Sequence, residues 1–181
     1  MVKQHFYTPQ LFKLMTMLEQ LKEEVTVVRK SDHFKDFKSK SPNAYLCAGF
    51  LVIETLSKAP WQIDFYCPDR NVMTTFVMND DVSMKESETI TKTSDIVPEL
   101  NLDKVDYDFE DVLKTMDALL KDKYPGHKAD KIITILQNIN GNEVWNITYL
   151  TNQFHVLNVK VNAEDGSLIS EKMTPIMSFK A

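Results

Sequence analysis

The chain has 181 residues, of which 43% are hydrophobic and 26% charged, and its formal net charge is -5. This composition excludes a disordered chain, and a chain of this length buries about 70% of its unfolded surface, enough for one or two domains with a hydrophobic core. The negative net charge gives no electrostatic basis for a nucleic acid or an anionic membrane as a partner.

The first predicted element is a helix in residues 8–25, TPQLFKLMTMLEQLKEEV. Thr8 is placed to cap this helix, and Pro9 suits its first turn. Apolar residues recur at helical spacing and define one face: Leu11, Leu14, Met15, Leu18, Leu21 and Val25. The basic residues between positions 29 and 40 are interrupted by acidic ones, and we interpret them as a solvated connection rather than a binding patch.

Four strands are predicted next, in AYLCAGFLVIE, WQIDFYC, NVMTTFVMN and VSMKESETI. The longest apolar run stops at Glu54 after about ten residues, whereas a membrane span needs about 20. The N-terminus lacks the basic region, continuous apolar stretch and cleavage site of a signal peptide. We therefore predict no membrane span, and a protein that is cytoplasmic, or exported with its signal already removed.

A second helix is predicted in DFEDVLKTMDALLKDKYPG, after a polar segment at 91–107 that lacks periodicity. Asp108 is its predicted cap, and Pro125 and Gly126 end it. Its predicted buried face consists of Phe109, Val112, Leu113, Met116, Leu119 and Leu120.

The strands after the second helix contain the strongest turn signal in the chain. Asn140-Gly141 joins two alternating runs in DKIITILQNINGNEVWNITYL and predicts a two-residue hairpin. The predicted register sets Leu136 opposite Trp145, Thr134 opposite Ile147 and Ile132 opposite Tyr149. FHVLNVKVNA follows as a third strand, and Asp165-Gly166 turns into a fourth, SLISEKM.

The two halves also share sequence. Aligned without gaps, residues 61–87 and 145–171 are identical at six positions: Trp61/Trp145, Ile63/Ile147, Val72/Val156, Val77/Val161, Asp81/Asp165 and Ser83/Ser167. Repetition of this kind indicates an internal duplication. We therefore predict an α+β fold of two tandem repeats, each a helix packed on a four-stranded antiparallel β-meander. The first unit would span 1–90, the linker 91–107 and the second unit 108–181.

Residues 109–171 resemble a PepSY domain. Members of that family show a helix with a Tyr-Pro-Gly-like stop, a meander, and a closing Val-Asp-Ala-x-Thr-Gly-Glu-like strand and turn; KYPG and VNAEDGSLIS occupy those places here. The first half matches weakly, since it lacks the Pro-Gly stop and has Val82 where the second half has Gly166. The resemblance implies tandem cystatin-like units without catalytic residues, found in protease propeptides and cell-envelope proteins, with a proposed role in restraining peptidases.

Residues that could carry out chemistry are sparse. The histidines, at positions 5, 33, 127 and 155, lack the spacing of a zinc motif, and the four glycines stand singly, without a phosphate loop. Asp80-Asp81 and Glu164-Asp165 fall at predicted turns, and turn chemistry explains them better than acid/base work or calcium binding. We predict that the protein is not an enzyme and has no metal and no cofactor.

The two cysteines admit two interpretations. Cys47 and Cys67 lie nearly opposite each other on neighbouring predicted strands. A disulfide or a thiol switch needs a register that puts both on one face, and a slip of one residue separates them. The alternative is two buried, inert thiols.

Alternation divides the central strands into two faces. Trp61, Ile63 and Phe65 share one face, as do Trp145, Ile147 and Tyr149, and both sets are expected to pack beneath a helix. The opposite faces are mixed in polarity and form the candidate binding surface: Gln62, Asp64, Tyr66, Asn146, Thr148 and Leu150.

These observations predict a non-enzymatic interaction or regulatory module. It would bind a protein or peptide, with peptidases as one class of partner, through a sheet face or a sheet edge. The alternative is a small-ligand-binding protein with an apolar pocket between helix and sheet. The predicted assembly is a monomer with pseudo-two-fold symmetry or a homodimer.

Overall fold

The computed structural model describes residues 15–54, 57–88 and 97–178. Within these ranges, three helices and nine strands form an α+β fold. The helices are α1 (Met17–Lys30), α2 (Asp32–Lys40) and α3 (Phe109–Lys123). The strands are β1 (Tyr45–Glu54), β2 (Ser57–Lys58), β3 (Gln62–Cys67), β4 (Val72–Met78), β5 (Val82–Glu88), β6 (Ala129–Ile139), β7 (Asn142–Thr151), β8 (His155–Asn162) and β9 (Leu168–Pro175).

All nine strands of the described chain belong to one antiparallel sheet. Its order is β5-β4-β3-β1-β6-β7-β8-β9, and β2 folds back on β1. β1 and β6 pair across the middle, from Ala48↔Gln137 to Glu54↔Lys131. The strands of the two halves therefore form one continuous sheet. Among the described strands, β5 and β9 are its edges.

The helix α1 begins at Met17. Its N-cap is Thr16, whose hydroxyl oxygen accepts a hydrogen bond from the Glu19 backbone N–H at 3.2 Å, while the Glu19 carboxylate accepts one from the Thr16 N–H at 2.8 Å. This reciprocal capping box fixes the helix start. Leu18, Leu21 and Val25 of the predicted apolar face are buried. The predicted cap residues and the start of that face lie outside the described residues: Thr8, Pro9, Leu11 and Leu14.

The basic stretch was expected to be a solvated connection. Its basic side chains are indeed largely exposed, but the segment is helical: Arg29 and Lys30 end α1, and the residues after Ser31 form the helix α2. Ser31 caps α2, since its hydroxyl oxygen accepts a hydrogen bond from the Phe34 N–H at 3.1 Å. Phe34 and Phe37 are three residues apart and share one side of the helix. They pack on Phe65 and Phe76 with ring centroids 4.9 to 6.1 Å apart. Two aromatic anchors thus hold an otherwise charged helix on the sheet.

The second helix and the hairpin after it agree with the sequence predictions. Asp108 occupies the N-cap position of α3, although its carboxylate makes no capping hydrogen bond there, and the helix ends at Lys123, before Pro125. Asn140 and Gly141 have φ angles of 54° and 89°, as the predicted turn requires. The predicted register is confirmed: Leu136 pairs with Trp145, Thr134 with Ile147, and Ile132 with Tyr149.

All three helices pack on one side of the sheet, which we call the helix face. Leu21 of α1 lies directly over Gly49, Phe34 of α2 over Phe65, and Phe109 of α3 over Trp145 at 5.3 Å between ring centroids. The predicted packing of the Trp61 and Trp145 faces beneath helices is confirmed, and both indoles are fully buried. The opposite side of the sheet, on which no described helix packs, we call the open face.

The gapless alignment of the two halves loses register after β3. The turn between β3 and β4 has four residues, 68–71, whereas the turn between β7 and β8 has three, 152–154. Because successive residues of a strand face opposite sides, this difference puts Val77 on the open face and Val161 on the helix face.

Cross-strand partners provide a second comparison of the two halves. Ile63 pairs with Phe76 in the first half, and Ile147 pairs with Val159 in the second. Phe76 and Val159 therefore both lie on the helix face, each opposite an isoleucine of the neighbouring strand.

Candidate functional site

The six residues of the predicted binding surface all belong to the open face. They are Gln62, Asp64 and Tyr66 on β3, and Asn146, Thr148 and Leu150 on β7. Two strands, β1 and β6, lie between the two groups. At a strand spacing of about 4.8 Å, the groups are about 14 Å apart. The structure thus places them on one surface without bringing the two groups into contact.

An apolar strip that the sequence analysis missed lies between these groups. Phe50 pairs with Ile135, and Val52 pairs with Ile133, across the junction of β1 and β6. All four side chains are partly exposed. β1 is apolar on both faces, and β6 carries isoleucines on both faces between Ile132 and Ile135. The same pattern could have indicated an uncovered apolar surface at the centre of the sheet.

Neighbouring strands order the polar side chains beside the strip. On β8, the side-chain amide of Asn158 donates hydrogen bonds to Asn146 Oδ1 at 2.9 Å and to Thr148 Oγ1 at 3.0 Å. On β4, the Thr75 hydroxyl donates to the Asp64 carboxylate. Partial burial raises the pKa of Asp64. Asn158 and Thr75 are therefore part of this surface, although the sequence analysis did not select them.

Tyr66 is buried at the edge of the open face. Its side chain is 4% exposed, its ring packs against Tyr45 at 5.7 Å, and its hydroxyl donates to Asn71 Oδ1 at 2.9 Å. The Tyr45 hydroxyl in turn donates to the Val97 carbonyl at 2.7 Å. Tyr66 therefore supports the packed end of the face and does not present its ring for binding.

Two of the four histidines meet in space. His127 follows α3, His155 begins β8, and their ring centroids are 5.0 Å apart. His127 Nδ1 lies 3.1 Å from Thr151 Oγ1, and His155 Nδ1 lies 2.7 Å from the Gln153 carbonyl oxygen. Nowhere in residues 15–54, 57–88 or 97–178 do three His, Cys, Asp or Glu side chains gather closely enough to hold a metal ion. Within those ranges, no further protein ligand joins the pair to complete a zinc site.

Both cysteines are buried free thiols in the described structure. Cys47 lies at an irregularity in β1, where the register with β3 shifts between Leu46 and Ala48. Its thiol donates to the Asp64 carbonyl at 3.3 Å, and burial raises its pKa to about 12. Because the thiolate is the reactive form, Cys47 is poorly suited to act as a nucleophile. This arrangement matches the interpretation of Cys47 and Cys67 as two buried, unpaired thiols.

In each of the two acidic pairs, one carboxylate accepts a hydrogen bond from a backbone N–H of its turn. After β4, the Asp81 carboxylate accepts a hydrogen bond from the Val82 N–H at 2.7 Å. After β8, the Asp165 carboxylate accepts one from the Ser167 N–H at 2.9 Å, and hydrogen bonding to Ser167 lowers the pKa of Asp165. These contacts match the expected turn chemistry.

A buried carboxyl group, which the sequence analysis did not find, belongs to Glu24 of α1. Glu24 is 8% exposed, and its Oε2 has no hydrogen-bond partner within the described chain. Burial raises the pKa of Glu24 to about 7, against a smaller opposing effect of the Lys58 charge. Glu110 Oε1 accepts a hydrogen bond from the Met17 N–H at 2.9 Å. Glu24 is therefore a buried carboxyl on α1 that titrates near neutral pH.

Two grooves border α3. The larger has a volume of about 550 Å³ at the end of the helix and is lined by Asp117, Leu120, Lys121, Pro125, Gly126, His127, Lys128, Ala129, Ile132 and Tyr149. The smaller has a volume of about 340 Å³ and lies between the outer side of α3 and the strands β8 and β9. It is lined by Thr115, Met116, Ala118, Leu119, Asp122, Val159 and Leu168. Both grooves open to solvent.

Comparison with known proteins finds a similar fold but no match that indicates a function. No family model matches the sequence, and no curated protein matches it either. The chain is similar in structure to a crystal structure described as a "putative lipoprotein" from Clostridium difficile 630, with a TM-score of 0.50 and 15% identity. The similarity covers 79% of this chain and 91% of that one. No helix within the described residues has the length and apolarity to cross a membrane.

Proposed function

We propose that the protein is a non-enzymatic interaction module that binds a protein or peptide partner on its open face. The observation that carries this proposal is the partly exposed apolar strip of Phe50, Val52, Ile133 and Ile135. Ordered polar side chains flank the strip on both sides, including Asp64 and Asn146. An apolar centre with a polar rim is the usual anatomy of a protein interface.

We further propose that this face was built by joining two PepSY-like units edge to edge. Phe50 pairs with Gln62, Ile135 pairs with Asn146, and the sequence alignment equates Gln62 with Asn146. Phe50 and Ile135 are thus equivalent positions, and they also pair with each other. A residue that pairs with its own equivalent marks a local two-fold axis, here at the centre of the apolar strip. The symmetric strand order supports the same reading.

The PepSY resemblance of residues 109–171 supports a peptidase as the class of partner. It also supports an exported location, as does the description of the structural neighbour as a lipoprotein. The absence of an evident nucleophile, metal ligand set or phosphate loop in the sequence supports a binding role over a catalytic one.

Site-specific photocrosslinking tests the open-face proposal. A photoreactive amino acid would replace Thr148, on the open face, or Thr26, an exposed threonine on α1. Each variant would be irradiated in lysate of the source organism, and adducts would be identified by mass spectrometry. We expect one reproducible protein adduct at position 148 that is absent at position 26. Equal labelling at both positions, or no adduct at either, would contradict the proposal.

A small-ligand-binding protein is the second candidate, and the larger groove favours it. Its volume of about 550 Å³ falls within the range of roughly 300 to 1,000 Å³ found for ligand pockets. Leu120, Ile132 and Tyr149 supply an apolar lining, and Asp117 and His127 add polar groups. Native mass spectrometry of the purified protein would reveal a co-purified small molecule. A bound mass lost in an Ile132→Lys variant would favour this function over the first.

A further inference from the structure

The second edge of the sheet, formed by β9, carries features that the open-face proposal does not use. β9 pairs with β8 on one side and with no other described strand. Among the residues that the structure describes, no strand pairs with the outer side of β9, and backbone N–H and C=O groups at such an edge can pair with another chain. Leu168 and Ile169 are 48% and 50% exposed at the start of this strand. The smaller groove meets this strand at Leu168 and lies between Leu168, Val159 and the helix α3.

In the first half of the chain, the helix α2 covers the region beside the edge strand β5. Phe34 and Phe37 of α2 pack on Phe76, with ring centroids 5.6 and 5.4 Å away. In the second half, Val159 has the matching cross-strand position and lines the smaller groove. No described helix follows α3 before β6, so the second half lacks a counterpart of α2. The groove thus lies where the first half inserts two aromatic side chains.

We infer that an extended segment of a partner protein adds to β9 as a further strand and places apolar side chains in the smaller groove. The regular part of β9, Ser170–Thr174, supplies the backbone template, and Pro175 ends it because proline has no N–H. Strand addition draws its affinity from backbone hydrogen bonds and its specificity from pockets for alternate side chains. The groove beside Leu168 is such a pocket.

The charges around the edge define the partner further. Glu171 is already paired, with Lys123 Nζ at 2.9 Å and the Tyr124 hydroxyl at 3.3 Å, so it does not repel an incoming strand. Asp122 lines the groove, and the whole chain carries a net charge of -5. A segment with apolar residues at alternate positions and at least one basic residue is therefore complementary.

The opposite edge, β5, is less suited to this role. Its helix side carries Met84, 46% exposed, and Glu86, which is paired with Arg70 at 2.8 Å. The phenylalanines of α2 fill the space beneath it. Met84 therefore provides a matched control for Leu168, because both are exposed apolar side chains on the helix side of an edge strand.

The test uses the full chain and a phage-displayed library of random ten-residue peptides. Peptides selected on the wild-type protein would be synthesised with a fluorescent label, and their affinity would be measured by polarisation. We expect selected peptides with alternating apolar residues. Their affinity should fall at least tenfold in Leu168→Lys and in Ala118→Arg, which fills the groove from an exposed helix position, and should stay unchanged in Met84→Lys.

Three outcomes would overturn the inference. Selection could yield no peptide, the selected peptides could bind Leu168→Lys as well as wild type, or wild type could form a dimer that Leu168→Lys abolishes, which would assign the edge to a second copy of this chain. Circular dichroism would verify that each variant is folded. The inference does not depend on the open-face proposal, since crosslinking at Thr148 reports on the other surface.

Discussion

The indole N–H of Trp145 donates a hydrogen bond to the Tyr107 carbonyl at 2.8 Å, whereas the indole N–H of Trp61 has no partner within the described chain. Both rings are fully buried at corresponding places in the two halves. Trp145→Phe would remove packing and also leave the Tyr107 carbonyl without this donor, which costs about 1–3 kcal/mol. Trp61→Phe would remove packing together with an unsatisfied donor.

We therefore expect Trp145→Phe to lower the free energy of unfolding by about 1–2 kcal/mol more than Trp61→Phe does. Urea denaturation followed by circular dichroism would measure both. An equal loss of stability in the two variants would show that the hydrogen bond to Tyr107 contributes nothing beyond ring packing.

Gly166 lies in the turn after β8 and packs against the ring of Tyr107. Its φ is +74°, and a Cβ added there would lie 2.5 Å from Tyr107 Cε2. Gly141 has φ +89° but nothing within 4 Å of an added Cβ. Gly141→Ala should therefore cost about 1–2 kcal/mol, the backbone penalty alone. Gly166→Ala should cost clearly more, because Tyr107 must also move. Similar midpoints for the two variants in urea denaturation would refute this steric argument.

Local sequence signals were sufficient for some elements of this fold. Asn140-Gly141 fixes the turn type, and a two-residue turn fixes the register of β6 and β7, so the pairs could be predicted without tertiary information. The helix α2 was missed because its apolar pattern consists of two phenylalanines among charged residues, and only its contacts with Phe65 and Phe76 reveal their role.

The pairing of β1 with β6 could not be predicted by the same means. The partners Phe50 and Ile135 are far apart in sequence, and no turn joins them to set a register. β1 is apolar on both faces, and β6 carries Ile133 and Ile135 opposite the face of Ile132 and Leu136, so alternation does not show which face of either strand is uncovered. The six predicted surface residues lie on the open face, but the apolar strip between them exists only because the two halves join at these strands.

Glu24 should make the stability of the protein depend on pH. Burial raises its pKa from the ordinary value of 4.5 to about 7, and the groups facing it include Lys58. Below pH 4.5 the carboxyl is protonated in both folded and unfolded chains. Between pH 4.5 and 7 the folded chain binds more protons, so stability falls as pH rises, by up to about 3 kcal/mol at 1.36 kcal/mol per pKa unit.

Glu24→Gln removes this titration while keeping the shape of the side chain. Other acids also titrate, so the useful quantity is the difference in unfolding free energy between variant and wild type. We expect that difference to shift by about 2–3 kcal/mol in favour of the variant between pH 4.5 and pH 7.5, measured by urea denaturation. A difference that stays constant across this range would show that Glu24 does not titrate there.

The thiols of Cys47 and Cys67 should be inert in the folded protein. They are 2% and 1% exposed, and burial raises the pKa of Cys47 to about 12. At pH 8 we expect neither thiol to react with a disulfide reagent in native buffer and both to react in denaturant. Rapid native labelling of either one would indicate local opening of β1 or β3.

Phe154 and Asn71 hold the same backbone conformation at corresponding turns. Their φ angles are 57° and 50°, and each residue precedes the strand that leaves its turn, β8 or β4. Asparagine is tolerated in this left-handed region, whereas a bulky side chain costs about 1–2 kcal/mol there. Phe154 is also 75% exposed, so its ring gains little from packing.

Phe154→Asn should therefore raise the free energy of unfolding by about 0.5–1 kcal/mol, since it relieves the backbone without opening a cavity. Asn71→Phe should lower it, both through the same backbone term and through loss of the hydrogen bond from Tyr66. Thermal and urea denaturation of the two variants would measure these opposite shifts. If Phe154→Asn lowered stability instead, the exposed ring would have to stabilise the turn through contacts that outweigh its backbone strain.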